Sequence, residues 1–138
     1  MSSAPLSSGR IEIIEVPVVS EAIRRLGAPT SALVRAGDLL LTCGMPPIDL
    51  KTGGIVSGDI AAQTRAALEA VKFALEHAGS SLANVARATL YVTDPDLMAD
   101  VNAVYRGYFP NGFPARTSAI VRPWPLPFQI EIECIALA

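Results

Sequence analysis

The sequence predicts an α+β domain in which two helices lie against one face of a mixed β-sheet. Three observations lead there. From about Asp59 to Ala78, apolar or small residues recur with helical spacing. A second helical face runs from Asp94-Pro95 to about Phe109. The last run, Phe128 to Leu137, alternates as a strand does. Short β-rich runs fill much of the remainder, giving the order β-β-β-α-β-α-β-β.

Each element has its own signal. Ile11 to Val16 is β-rich, and Ser20 is placed to cap a short helix ending at Leu26-Gly27. Two apolar runs, Ala32–Ala36 and Leu39–Cys43, flank Gly37-Asp38, a hairpin signal. Gly44 to Gly58 holds two prolines and several glycines and reads as a loop. In the long helix Ile60, Thr64, Ala67, Leu68, Val71 and Leu75 share a face opposite Arg65, Glu69, Lys72 and Glu76. Ser57 or Asp59 starts it and Gly79 ends it. Val85–Val92 reads as a strand, and Asp94-Pro95 as a cap followed by proline in the first helical turn. Arg116–Val121 and Phe128–Leu137 are the last strands. On the final one Ile130, Ile132, Cys134 and Ala136 face one way, and Glu131, Glu133 and Ile135 the other.

The 138 residues are 51% apolar and 17% charged, with a net charge of −2. That suits one packed domain and excludes a disordered chain. The basic residues are scattered, so neither nucleic acid nor an acidic membrane is an expected partner. No run is long and apolar enough to span a bilayer. Met1 to Gly9 lacks the basic end and apolar stretch of a secretory signal, so a cytoplasmic location is expected. A mean hydropathy of +0.40 is high for this length. Apolar surface hidden against another subunit would account for it.

Cys43 and Cys134 form no C-x-x-C pair, and the single histidine, His77, falls at a helix end. A histidine-rich metal site cannot be built, and no metal is expected. Cys43 has no histidine nearby in sequence to activate it and reads as an inert thiol. Arg116 opens a strand after Phe113-Pro114-Ala115. It is either a surface arginine or a fork for a carboxylate. Glu131 and Glu133 share one strand face, either as solvated charges or with one of them holding a water as general base. Asn102 is a poor helix former in an apolar run, which suggests a structural hydrogen bond or a site contact. Trp124 either packs within its proline-rich connection or bulks the mouth of a pocket.

Several segments together resemble the RidA (YjgF) family. They are Ala36-Gly37-Asp38 through Cys43-Gly44-Met45-Pro46-Pro47, Asp49-Leu-Lys-Thr-Gly-Gly-Ile-Val56, and Asp59-Ile60 with Gln63-Thr64-Arg65. Val101-Asn-Ala-Val-Tyr105, Phe113-Pro-Ala-Arg-Thr117 and Ile130-Glu-Ile-Glu-Cys-Ile-Ala136 complete the series. The likeness covers residues 27–138, leaving residues 1–26 as a longer lead than the family usually carries. It implies a chorismate-mutase-like fold, a homotrimer with sites between subunits, and no cofactor. The implied activity is hydrolysis of reactive 2-imino or enamine acids, such as 2-aminoacrylate and 2-iminobutanoate, to 2-keto acids and ammonia. Arg116 would clamp the substrate carboxylate and Glu131 would orient the water. Ser118, Asn102, Thr30, Cys43 and Gly44 would line the pocket. Thr30, Cys43 and Met45 stand where the family usually has tyrosine, serine and glutamine. These departures imply a reshaped pocket, and with it another enamine such as 2-aminomuconate. A non-enzymatic trimer binding small carboxylates is the other alternative. The family labels of endoribonuclease and translation inhibitor fit this charge balance poorly.

Overall fold

A computed structural model describes residues 10–138. Six strands form one sheet in the order β1-β2-β3-β6-β4-β5. They are β1 (Ile11–Ile14), β2 (Leu33–Ala36), β3 (Leu39–Thr42), β4 (Val85–Val92), β5 (Ala115–Ile120) and β6 (Ile130–Leu137). Neighbours are antiparallel except β4 and β5, which run parallel. Three α-helices accompany them: α1 (Val19–Arg25), α2 (Ile60–His77) and α3 (Met98–Tyr108). The sequence counted two helices against the sheet. The structure adds α1, at the short segment read as helical.

Most local signals act where the sequence places them. Gly37, at φ +60°, makes the two-residue turn that pairs Ala36 with Leu39. The Asp59 carboxylate accepts the Ala62 N–H at 2.8 Å and caps α2. The expected cap at Ser20 is different. Helix α1 already starts at Val19, and the Ser20 hydroxyl accepts the Val16 N–H at 2.8 Å. Of residues 1–26, the first nine lie outside the described residues. Residues 11–14 supply the edge strand, while Val16, Val19, Ala22 and Ile23 are buried in the core.

Strand register sorts the side chains onto two faces. Leu40, Leu90, Ile130, Ile132, Cys134 and Ala136 lie on the face that packs against the helices, and all are buried. The opposite face carries ordered rows. One row runs Ile11, Ala36, Leu39, Leu137; the next runs Ile13, Val34, Leu41, Ile135, Arg87, Ala115. Beyond them come Glu133, Thr89 and Thr117, then Glu131, Tyr91 and Ala119. This open face is thus apolar toward one end and acidic toward the other. None of the described helices is long and apolar enough to cross a membrane.

Candidate active site

Arg116 stands on β5 in register with Ala88 and, through it, with Cys134, so its side chain lies on the helix side of the sheet. Three contacts fix it. Its Nη2 donates to Asn102 Oδ1 at 2.5 Å, and its Nε donates to Ser118 Oγ at 3.2 Å. The guanidinium carbon sits 4.7 Å above the centre of the Tyr105 ring. A cation over a phenol ring in this geometry gains roughly 0.5–1 kcal/mol at an accessible site. Tyr105 is itself held by Phe109 at 4.8 Å and Phe113 at 6.3 Å, ring centre to ring centre. Its hydroxyl is buried without a hydrogen-bond partner among the described residues, and burial pushes its pKa up to about 12.

Helix α3 gives these residues their direction. Asn102, Tyr105 and Arg106 are three and four residues apart and so share one helix face. With Phe113 and Arg116 they line a cavity of about 320 Å³. That lies at the lower end of the range of about 300–1,000 Å³ typical of small-molecule sites. Asn102, a poor helix former in an apolar run, is here the acceptor that aims Arg116.

A second cluster forms on the open face. Burial, and then the neighbouring Glu133 charge, raise the Glu131 carboxyl to a pKa of about 7. No described side chain donates a hydrogen bond to Glu131. Glu133, two residues on, accepts the Tyr91 hydroxyl at 2.9 Å. Beside Glu131 runs the segment after β3. From Leu41 to Met45 the chain takes four steps while β6 takes three, from Ile135 to Ile132. This local irregularity brings Gly44 so close that a Cβ there would lie 2.5 Å from Glu131 Oε1. The neighbouring Cys43 thiol is raised to a pKa of about 12 by burial and by the Glu131 and Glu133 charges. It is a poor nucleophile there, in line with an inert thiol.

The two clusters do not meet within one chain. Arg116 aligns with Ala88 on the helix side, whereas Glu131 aligns with Tyr91 and Ala119 on the open side. Their strands are two positions apart, about 10 Å, with a further offset of about 10 Å along the strands. Thr30 joins neither cluster. It is exposed in the turn after α1, with its N–H on the Ala28 carbonyl at 3.0 Å. Trp124 packs on Phe128 at 5.1 Å and is not among the residues lining the Arg116 cavity. The sequence reading missed Tyr105 as the platform under Arg116, Tyr91 as the partner of Glu133, and Arg106 at the cavity. The signals for Tyr105 were its helical spacing from Asn102 and its place in the Val101–Tyr105 segment.

The family model described as endoribonuclease L-PSP matches residues 22–138. The chain belongs to this RidA/YjgF family. A RutC family protein of Pyrococcus horikoshii is 44% identical over 88% of this chain and 96% of its own. A 2-iminobutanoate/2-iminopropanoate deaminase of Escherichia coli K12 is 38% identical over 75% of this chain and 83% of its own. The crystal structure of the YjgF gene product from E. coli superposes with a TM-score of 0.74 at 36% identity, covering 80% of this chain and 88% of that one. The mixed sheet and its helices are thus those of RidA/YjgF structures.

Proposed function

We propose that this RidA-family chain hydrolyses small 2-imino acids to 2-keto acids and ammonia, at sites shared between copies of a homotrimer. The observation that carries this reading is the Arg116 cavity. Its guanidinium is aimed by Asn102 and Ser118, rests on Tyr105, and forms no ion pair with a described carboxylate. A small carboxylate is the ligand such a fork suits. The deaminase name of a 38% identical relative points to the same chemistry.

Glu131 of a neighbouring copy supplies the base. A carboxylate with a pKa of about 7 and no donor among the described side chains is placed to take a proton from water at neutral pH. The water oxygen bonds to the imine carbon while that proton passes to Glu131. The C=N electron pair moves to nitrogen, which takes that proton from Glu131. The resulting carbinolamine gives its hydroxyl proton to Glu131, which passes it to the amine, and ammonia leaves as the hydroxyl oxygen forms the keto group and Glu131 returns to the carboxylate. The opposed faces of Arg116 and Glu131 support a site shared between copies. The apolar rows of the open face give a second copy something to cover.

The test is to generate imines in situ from alanine or 2-aminobutyrate with an amino-acid oxidase and to follow keto acid and ammonia release. The wild type is expected to accelerate release and Arg116→Ala to lose the effect. No acceleration by the pure wild-type protein would sink the proposal.

A further inference from the structure

Arg116 is not the only arginine at its cavity. Arg106, four residues after Asn102 on the same face of α3, lines the same 320 Å³ space. The other lining residues, Asn102, Tyr105 and Phe113, carry no charge. Among the described residues neither arginine forms a salt bridge; both ion pairs involve Arg24, far along the chain. Residues 1–9 contain no aspartate or glutamate that could serve. Within one copy the cavity is therefore lined by two arginines and no carboxylate; in the proposed assembly the neighbour's Glu131 adds one, at the imine carbon rather than at Arg106.

Two like charges facing one small space repel, and the repulsion grows as water is displaced. A ligand with a single carboxylate on Arg116 leaves Arg106 uncompensated. A ligand with two acidic groups satisfies both. From this geometry we infer that the cavity prefers imino and keto acids bearing a second acidic group, with the 2-carboxylate on Arg116 and the distal one on Arg106. This rests on the proposed role of Arg116 and deepens it to a substrate class. The long, exposed side chain of Arg106, against the fixed fork of Arg116, suits a distal group whose reach varies with chain length.

The test uses the assembled full-length protein and two keto-acid probes, 2-oxobutanoate and 2-oxoglutarate, by isothermal titration. The wild type is expected to bind the diacid more tightly. That preference should fall about tenfold in Arg106→Met, the size of one lost charge-assisted hydrogen bond, and should be largely kept in Arg106→Lys. It should also weaken as salt is raised. A wild type with no diacid preference, or a preference that Arg106→Met leaves unmoved, overturns the inference. Arg116→Ala separates the two readings. If it weakens both acids while Arg106→Met leaves their ratio unchanged, the carboxylate site stands and the second anchor falls. If neither acid binds the wild type, both fall together.

Discussion

Arg116 points where it does because three uncharged neighbours leave it one orientation. Asn102 and Ser118 accept two of its five N–H donors, and the Tyr105 ring closes the space beneath. The remaining donors are free for a planar acceptor. Arg116→Lys is therefore expected to rescue little of what Arg116→Ala loses, because an ammonium cannot reproduce the fork. We expect a fall of at least about 100-fold in kcat/KM for both, read from keto acid release. Glu131 differs, since its chemistry is set by surroundings that no motif encodes. Its pKa of about 7 lies above the ordinary 4.5 because burial and Glu133 disfavour the anion. The folded chain thus holds this proton more tightly than the unfolded one. Stability falls as pH rises from about 4.5 to 7, and the full cost remains above that. Glu131→Gln should accordingly stabilise the protein at pH 8, by about 1–2 kcal/mol once partial exposure is allowed for, and make no difference at pH 4. Denaturant titrations at the two pH values and one protein concentration would show it. Activity runs the opposite way, and kcat should rise through pH 7 as the base ionises. Residue types and order marked Arg116, Asn102 and Glu131 as candidates, each beside a structural alternative, and only the resemblance to the RidA family gave them site roles. Tyr105, read only as part of an apolar helix face, became a platform for a cation through packing that sequence periodicity does not contain.

At the scale of elements, the site depends on how β6 and the segment after β3 are held. Gln63 on α2 is 2% exposed and donates to the Gly58 carbonyl, while its Oε1 accepts the Gln129 N–H at 2.8 Å. It ties the start of α2 to the residue preceding β6, two positions from Glu131. Gln63→Leu should release the Gly58 carbonyl and the Gln129 N–H, both on exposed residues, to water and cost about 0.5–1.5 kcal/mol for each hydrogen bond lost, measurable as a lower Tm. Gly44 acts in another way. The nearest atoms a methyl group there would meet belong to the Glu131 side chain, and the tightest contact, 2.5 Å, is to its terminal Oε1, which can swing aside. Gly44→Ala is thus expected to change Tm little while lowering kcat, because the displaced carboxylate no longer faces its water. Thermal melts and ammonia release on the same sample would separate the effects. The helices, the hairpin turn and the alternation of β6 were legible because each rests on local spacing or a turn residue. The irregularity that brings Gly44 onto Glu131 was not, since it appears only when β3 and β6 are laid side by side. Nor was the start of α1. Ser20 has the right chemistry for a cap, but the chain uses its hydroxyl to hold Val16 from inside the helix.

For the whole molecule, the decisive feature is that one sheet separates the two halves of the proposed site. Arg116 and its cavity lie on the helix side, Glu131 and Gly44 on the open side. The open side also leaves Ile11, Ile13, Leu39 and Leu137 exposed, the last two paired across β3 and β6. A second copy laid on this face would bury those side chains, and each methylene removed from water contributes about 0.8 kcal/mol. Replacing the pair as Leu39→Lys with Leu137→Glu keeps a favourable cross-strand contact within the chain but makes the face polar. We expect that double variant to sediment as a monomer and to lose turnover. A complementation experiment isolates the shared site itself. Arg116→Ala and Glu131→Gln subunits should each be inactive alone. If every site takes its arginine from one copy and its glutamate from another, random mixing of equal amounts leaves about a quarter of sites intact. Unfolding and refolding the two variants together should therefore restore about a quarter of wild-type activity. Were both residues drawn from the same chain, every site in the mixture would keep one defect and no activity would return.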